Sequence, residues 1–168
     1  MEARAKLLGH PIHQMLIVLP LGLLTGAIVF DALHLLGMGE HWPAVSYWLI
    51  PAGVLGGLLA AVFGFADWTK IPKQTRARRV GAVHGLGNVV VVSLFAVSWW
   101  LRGGPDEGTS TAALLFSFSG GALAMLTAWL GGELVARLGV GVDEGAHLDA
   151  PSSLSGRRAN GAASARIV

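Results

Sequence analysis

The chain has no cysteine and few charged side chains, and each shortage excludes a class of protein. Without cysteine, disulfide bonds, thiolate catalysis and cysteine-ligated metal clusters are excluded. Only 13% of the 168 residues are charged and 53% are hydrophobic, a balance that soluble domains of ordinary composition do not have. The mean hydropathy of +0.60 therefore predicts that lipid surrounds much of the surface. Histidine and carboxylate chemistry remains available.

Four apolar stretches are long enough to cross a membrane, since a spanning helix needs about 20 mostly apolar residues. They lie at about 12–36, 44–65, 80–101 and 112–134. Glycine and alanine recur in them at four-residue spacing, which lets membrane helices approach closely. We therefore predict an all-α integral membrane protein, with an antiparallel four-helix bundle over 1–142. Residues 143–168, rich in Ala, Ser, Gly and charge, are predicted to form a flexible, disordered cytoplasmic tail.

The positive charges lie almost entirely on one side of these stretches. Eleven of the 12 lysines and arginines lie at the ends shared by the two termini, and only Arg102 lies at the opposite ends. By the positive-inside rule both termini face the cytoplasm, and we expect the protein in a cytoplasmic (inner) membrane. The cations flank apolar spans rather than covering a soluble face, so a nucleic-acid partner is not expected.

Polar residues that are costly in lipid gather at the predicted cytoplasmic ends of the helices. They are His10, His13, Asp67, His84, Asn88 and Glu133. All four helices contribute, and ionisable groups at such positions are rare unless they are paired or functional. The sequence contains no GxSxG motif and no Ser/His/Asp set at one depth, so no catalytic residue is predicted.

Haem b is the first interpretation of this site. Helices one and three are diagonal in an up-and-down bundle, so His13 and His84 at equal depth could be axial ligands from opposite sides. Asn88 would donate a hydrogen bond, and the carboxylates of Asp67 and Glu133 would orient the ligands. The protein would then serve in electron transfer or as a redox-associated subunit, with redox proteins as partners.

Other interpretations stay open. A single zinc or iron ion could be bound by mixed imidazole and carboxylate ligands. Its predicted ligands are His10, His13, Asp67, His84 and Glu133. Alternatively these groups only satisfy one another, with the carboxylates bonded to the histidines and Asn88 or paired with the arginine-rich loop at 70–79. The protein would then be a non-catalytic accessory subunit whose glycine-rich faces pack against a larger membrane complex.

A second pair of polar residues lies near the other end of the first helix. Asp31 and His34 are spaced i, i+3, and 18 residues separate Asp31 from His13, which is about 27 Å along a helix. The two regions cannot form one site. We expect Asp31 and His34 to pair with each other at the interface without a ligand.

Four motifs resemble a bacterial family of four-helix membrane proteins known as domain of unknown function 2231. They are GHPIHQMLIVLPLGLL, GFADW, HGLGN and WLGGELVARLGVGV, and the resemblance runs to about Val142. It also includes Asp31 and Arg102, whereas Gln14 replaces the second proline of the family's opening HPxHP motif. The resemblance implies no established activity. Relatives joined to Rieske-type or cytochrome-like domains imply proximity to electron transfer, and the family's polar pattern falls on the same six residues.

Overall fold

Four long helices make up most of the computed structural model, which describes residues 1–157 and 159. They are α1 (Ile12–Leu35), α2 (Trp42–Lys70), α3 (Arg76–Trp100) and α4 (Thr111–Gly132), and α4 continues into a π-helical turn at Glu133–Arg137. Each is long and apolar enough to cross a membrane. The prediction of an all-α protein with four spanning helices is therefore confirmed.

Two of the helices extend further at the basic end than the apolar stretches indicate. At the second helix the structure adds about a turn beyond the predicted end, because polar residues continue the helix as far as Lys70. The third helix begins a turn earlier than predicted, because the Thr75 side chain accepts a hydrogen bond from the backbone N–H of Arg78 and caps it there. A search for apolar stretches does not detect such polar end turns.

The helices form a closed antiparallel ring. α1 packs along α2, α3 packs along α4, α2 contacts α3, and α4 contacts α1. Consequently α1 and α3 are diagonal, as the sequence predicts. We call the end of the bundle with Lys70 and Arg76 the basic end, and the opposite end the Arg102 end. That the basic end faces the cytoplasm stays a prediction.

The core is small and depends on glycine. Its buried cluster consists of Leu24, Ala27, Ile50, Val91 and Phe95. A Cβ added at Gly53 would lie 2.6 Å from Leu24 Cδ2, and one at Gly120 would lie 2.9 Å from Phe95 Cε2. Larger residues there would separate the helices, which is the reason that small residues suit membrane helix contacts. Outside the core, large apolar side chains such as Leu55 and Met125 are 67% and 76% exposed, as expected where lipid covers the surface.

The segment before α1 crosses the basic end of the bundle. Two short strands, β1 (Lys6–Leu7) and β2 (His10–Pro11), form a small antiparallel hairpin. The Met1 amino group donates to the Gly139 carbonyl at 2.9 Å, and the Gly141 N–H donates back to the Met1 carbonyl at 2.9 Å. These bonds fix the segment against the chain that follows α4.

The predicted tail contributes to the same end. Asp143 forms an ion pair with Lys6, and a short 3₁₀ helix at Ser153–Ser155 places Ser153 against Gly9. Residues 158 and 160–168 lie outside the described part, so the flexibility predicted for the tail remains a prediction.

Candidate functional site

The His13 side chain bonds to the backbone of the neighbouring helix. Its Nδ1 lies 2.9 Å from the Ala60 carbonyl oxygen of α2. Because that oxygen can only accept, Nδ1 carries the proton and, in the neutral ring, Nε2 carries the lone pair. The ring lies against Gly64, where an added Cβ would come within 2.8 to 3.3 Å of three ring atoms. A glycine is therefore needed for the ring to occupy this position.

His84 has a similar environment on the diagonal helix. Its Nδ1 lies 2.9 Å from the Thr127 carbonyl oxygen of α4, and its ring lies beside Gly131. Asn88 Nδ2 donates to the His84 carbonyl at 2.8 Å and makes a longer contact of 3.3 Å with Nε2. The Thr127 hydroxyl donates to Asn88 Oδ1 at 3.1 Å. A chain of hydrogen bonds through Asn88 and Thr127 therefore joins α3 to α4.

Asp67, near the end of α2, faces the segment before α1. Its carboxylate accepts hydrogen bonds from the backbone N–H groups of Arg4 at 2.6 Å and Ala5 at 3.4 Å. Only 9% of the residue is exposed. The carboxylate therefore holds the segment before α1 against the end of α2, and sequence spacing gives no indication of that partner.

Glu133 and His10 have partners other than the His13 and His84 imidazoles. Glu133 forms an ion pair with Arg76 at 2.7 Å, as the interpretation based on the arginine-rich loop expects. His10 is exposed, and its Nε2 lies 3.4 Å from the Ser153 hydroxyl. Within residues 1–157 and 159, no group of three or more His, Cys, Asp or Glu side chains could hold a metal ion. The five residues predicted to bind zinc or iron thus belong to separate sets of contacts.

The most enclosed ion pair of the described residues lies at the Arg102 end. Arg102 and Asp31 are 3% and 1% exposed. The two guanidinium nitrogens donate to the two carboxylate oxygens at 2.9 and 2.6 Å, in bidentate geometry. The Ser117 hydroxyl adds a bond of 2.8 Å to Asp31, and Arg102 also donates to the Thr109 hydroxyl at 3.2 Å. This network connects α1, the end of α3 and α4.

The predicted pairing of Asp31 with His34 is wrong. Asp31 bonds to Arg102 and Ser117 instead, because the carboxylate turns into the bundle, where a guanidinium compensates its burial. The sequence contained the signal, since Arg102 is the one cation at that end. The Nε of Arg102 and the Nε1 of Trp99 are buried without a hydrogen-bond acceptor among the described residues. A buried donor without an acceptor costs about 1–3 kcal/mol of stability.

Comparison with known proteins gives one match. A family model described as "Predicted membrane protein (DUF2231)" matches residues 9–144. No curated protein and no solved structure matches the chain.

Proposed function

We propose that this chain, which belongs to the DUF2231 family of predicted membrane proteins, binds haem b between His13 and His84. In this proposal it is an electron-transfer or redox-associated subunit of the bacterial cytoplasmic membrane, with both termini in the cytoplasm and redox proteins as partners. A haem with two histidine ligands exchanges one electron between its ferric and ferrous forms. The residues of this chain would fix its position and its environment.

The proposal rests on one observation: the imidazoles of His13 and His84 make the same kind of hydrogen bond to a neighbouring helix. In each, Nδ1 lies 2.9 Å from a backbone carbonyl of an adjacent helix, at Ala60 for His13 and at Thr127 for His84. Histidines that ligate metals almost always donate their other ring N–H in this way, because the bond fixes the tautomer and makes the ligating nitrogen more basic. The two residues lie on diagonal helices of a bundle, a common location for such cofactors.

The contacts around the rings are compatible with this role. Gly64 and Gly131 lie directly against the two rings, where any side chain would take up space. The contact of 3.3 Å between Asn88 Nδ2 and the Nε2 of His84 is longer than a typical hydrogen bond. A ligand on Nε2 would replace it at little cost, because Asn88 keeps its shorter bond to the His84 carbonyl.

A single zinc or iron ion is less well supported. The chain offers the two tethered imidazoles, but the carboxylates of Asp67 and Glu133 already bond to backbone N–H groups and to Arg76. Recruiting them would break those contacts. The metal-ion interpretation therefore requires a rearrangement of these carboxylates at the basic end.

A second candidate function has its own observation. Gly22, Gly85 and Gly132, on α1, α3 and α4, would meet no atom within 4 Å if a Cβ were added, and all three are exposed. Glycines that pack against nothing inside the bundle suit contact with helices of another protein. The chain would then be an accessory subunit of a larger membrane complex.

An absorption spectrum of the purified protein, oxidised and reduced, tests the proposal. A Soret band is expected, and it should be lost in both His13→Ala and His84→Ala. His147→Ala is the matched control, because His147 is exposed beyond the helices, and it should keep the band. A colourless protein with stoichiometric zinc or iron would instead favour the metal ion, and absence of both would leave the accessory role.

A further inference from the structure

The connection between α2 and α3 is held rigidly by one of its own arginines. The Arg78 guanidinium donates to the carbonyls of Trp68 at 2.7 Å, Thr69 at 3.3 Å and Ile71 at 3.1 Å. It also lies 3.7 Å from the centre of the Trp68 ring, whose Nε1 donates back to the Arg78 carbonyl at 3.1 Å. The positive charge of Arg78 is therefore compensated by contacts within the protein.

The residues between the helices are fixed as well. Ile71 is 4% exposed and anchors the start of the connection. The Thr75 hydroxyl donates to the Pro72 carbonyl at 2.8 Å and also caps α3. Gln74 takes the left-handed conformation, with φ of 69°, that reverses the chain. A cation on this connection is consequently presented from a fixed backbone and loses less conformational freedom on binding.

Three cations of this region remain without a partner. The side chains of Lys70, Lys73 and Arg79 are exposed, and none makes a hydrogen bond or an ion pair within the described part of the chain. Arg76 differs, because its charge is compensated by Glu133 at 2.7 Å. We call the three unpaired residues the hairpin cations.

The hairpin cations lie where phospholipid phosphates are expected. Lys70 is the last residue of α2, and Arg79 lies in the first turn of α3. About one turn closer to the middle of the same two helices, Phe65 is 65% exposed and Val83 is 59% exposed. The surface next to the hairpin cations is therefore apolar. A partner at this boundary must carry negative charge beside hydrocarbon, which describes an anionic phospholipid better than a soluble anion.

We propose that the hairpin cations form a binding site for the phosphate of an anionic phospholipid. Clusters of basic side chains next to spanning helices attract such lipids by about 1 kcal/mol per cation. Lys70 also borders a cavity of about 590 Å³ that Glu2 and Glu144 line, so Lys73 and Arg79 contribute more of the attraction. The site is independent of any cofactor.

The test measures lipid binding to the whole chain purified in dodecylmaltoside, by native mass spectrometry. Dioleoylphosphatidylglycerol and dioleoylphosphatidylcholine are titrated separately, and phosphatidylglycerol should bind more tightly. About 1 kcal/mol per cation is about fivefold in affinity, so loss of Lys73 and Arg79 should lower that preference about 25-fold, and loss of Lys70 as well should raise the total to at most about 100-fold. The variant is Lys70→Gln, Lys73→Gln and Arg79→Gln combined.

The matched control removes the same charge from the same end of the protein but not from the connection. It is Arg4→Gln, Arg137→Gln and Arg157→Gln combined, and it should keep most of the preference. An equal loss in both variants would show a general charge effect and overturn the proposal, as would a native protein without preference for phosphatidylglycerol. Inorganic phosphate that displaced the lipid at equal concentration would overturn it too, by assigning the site to a free anion.

Helical content by circular dichroism checks that the triple variant folds. If it does not, Lys73→Gln alone is used, since Lys73 lies outside both helices and makes no contact that the fold needs. It should lower the affinity for phosphatidylglycerol about fivefold, and an unchanged affinity would overturn the proposal.

Discussion

Removing the charge of Asp31 should be one of the most destabilising substitutions in this chain. Asp31→Asn preserves the shape of the side chain but leaves the Arg102 guanidinium, 3% exposed, without its compensating charge. The amide has only one acceptor oxygen, so at most one of the two bonds of 2.9 and 2.6 Å from the guanidinium persists, without its ionic character, and the amide NH2 group faces the other guanidinium nitrogen. An arginine cannot be neutralised by losing a proton, so the charge stays buried in the variant.

The size of the effect follows from burial. Removing one partner of a buried, hydrogen-bonded pair costs about 3–5 kcal/mol, whereas replacing both partners with apolar residues of similar volume is often neutral or stabilising. Asp31→Asn and Arg102→Met should therefore each lower the free energy of unfolding by about 3 kcal/mol or more. The double variant Asp31→Asn with Arg102→Met should lose much less than the sum of the two single losses, because neither charge is left without its partner.

Unfolding in mixed micelles of dodecylmaltoside and sodium dodecyl sulfate, followed by circular dichroism, measures these free energies. Arg76→Gln is the control, because it breaks an ion pair whose arginine side chain is 54% exposed, and such pairs contribute about 0.2–1 kcal/mol. Single losses below 1 kcal/mol, or a double variant that loses the full sum, would refute the reasoning. Either result would mean that the two charges are not coupled in the folded protein.

Two further predictions concern the basic end. Gly64→Ala should displace the His13 ring, since the new Cβ would lie 2.8 Å from its Cε1, and it should lower the free energy of unfolding by about 1–3 kcal/mol in the same assay. Gly22→Ala, whose new Cβ would have no atom within 4 Å, should instead stabilise the protein by up to about 1 kcal/mol. Equal effects of the two substitutions would contradict the contact between Gly64 and the His13 ring. The pKa of the Glu2 carboxyl is held below its ordinary 4.5 by the hydrogen bond from Lys6, so its contribution is present at neutral pH and is lost as the pH falls below that value. Amide exchange in the segment before α1, corrected for intrinsic rates, should therefore accelerate in acid, and Glu2→Gln should reduce this dependence without abolishing it, since Asp67 and Asp143 also hold the segment.

The candidate site could be predicted from the sequence only in part. That His13 and His84 lie on diagonal helices followed from short connections and an even number of spans, and the structure confirms that arrangement. Their partners could not be predicted, because both imidazoles bond to backbone carbonyls and carbonyls are present at every residue. Asp67 bonds to the backbone of an incoming segment for the same reason.

The sequence by itself determined the four spans and which polar residues lie at each end, because the length of an apolar stretch and its position along the chain fix depth in a membrane. Depth says nothing about the direction in which a side chain points around its helix. Tertiary packing alone decided that Asp31 meets Arg102, 71 residues away, rather than His34 one turn along. A guanidinium can compensate a buried carboxylate only where two helices turn both groups toward the same interior.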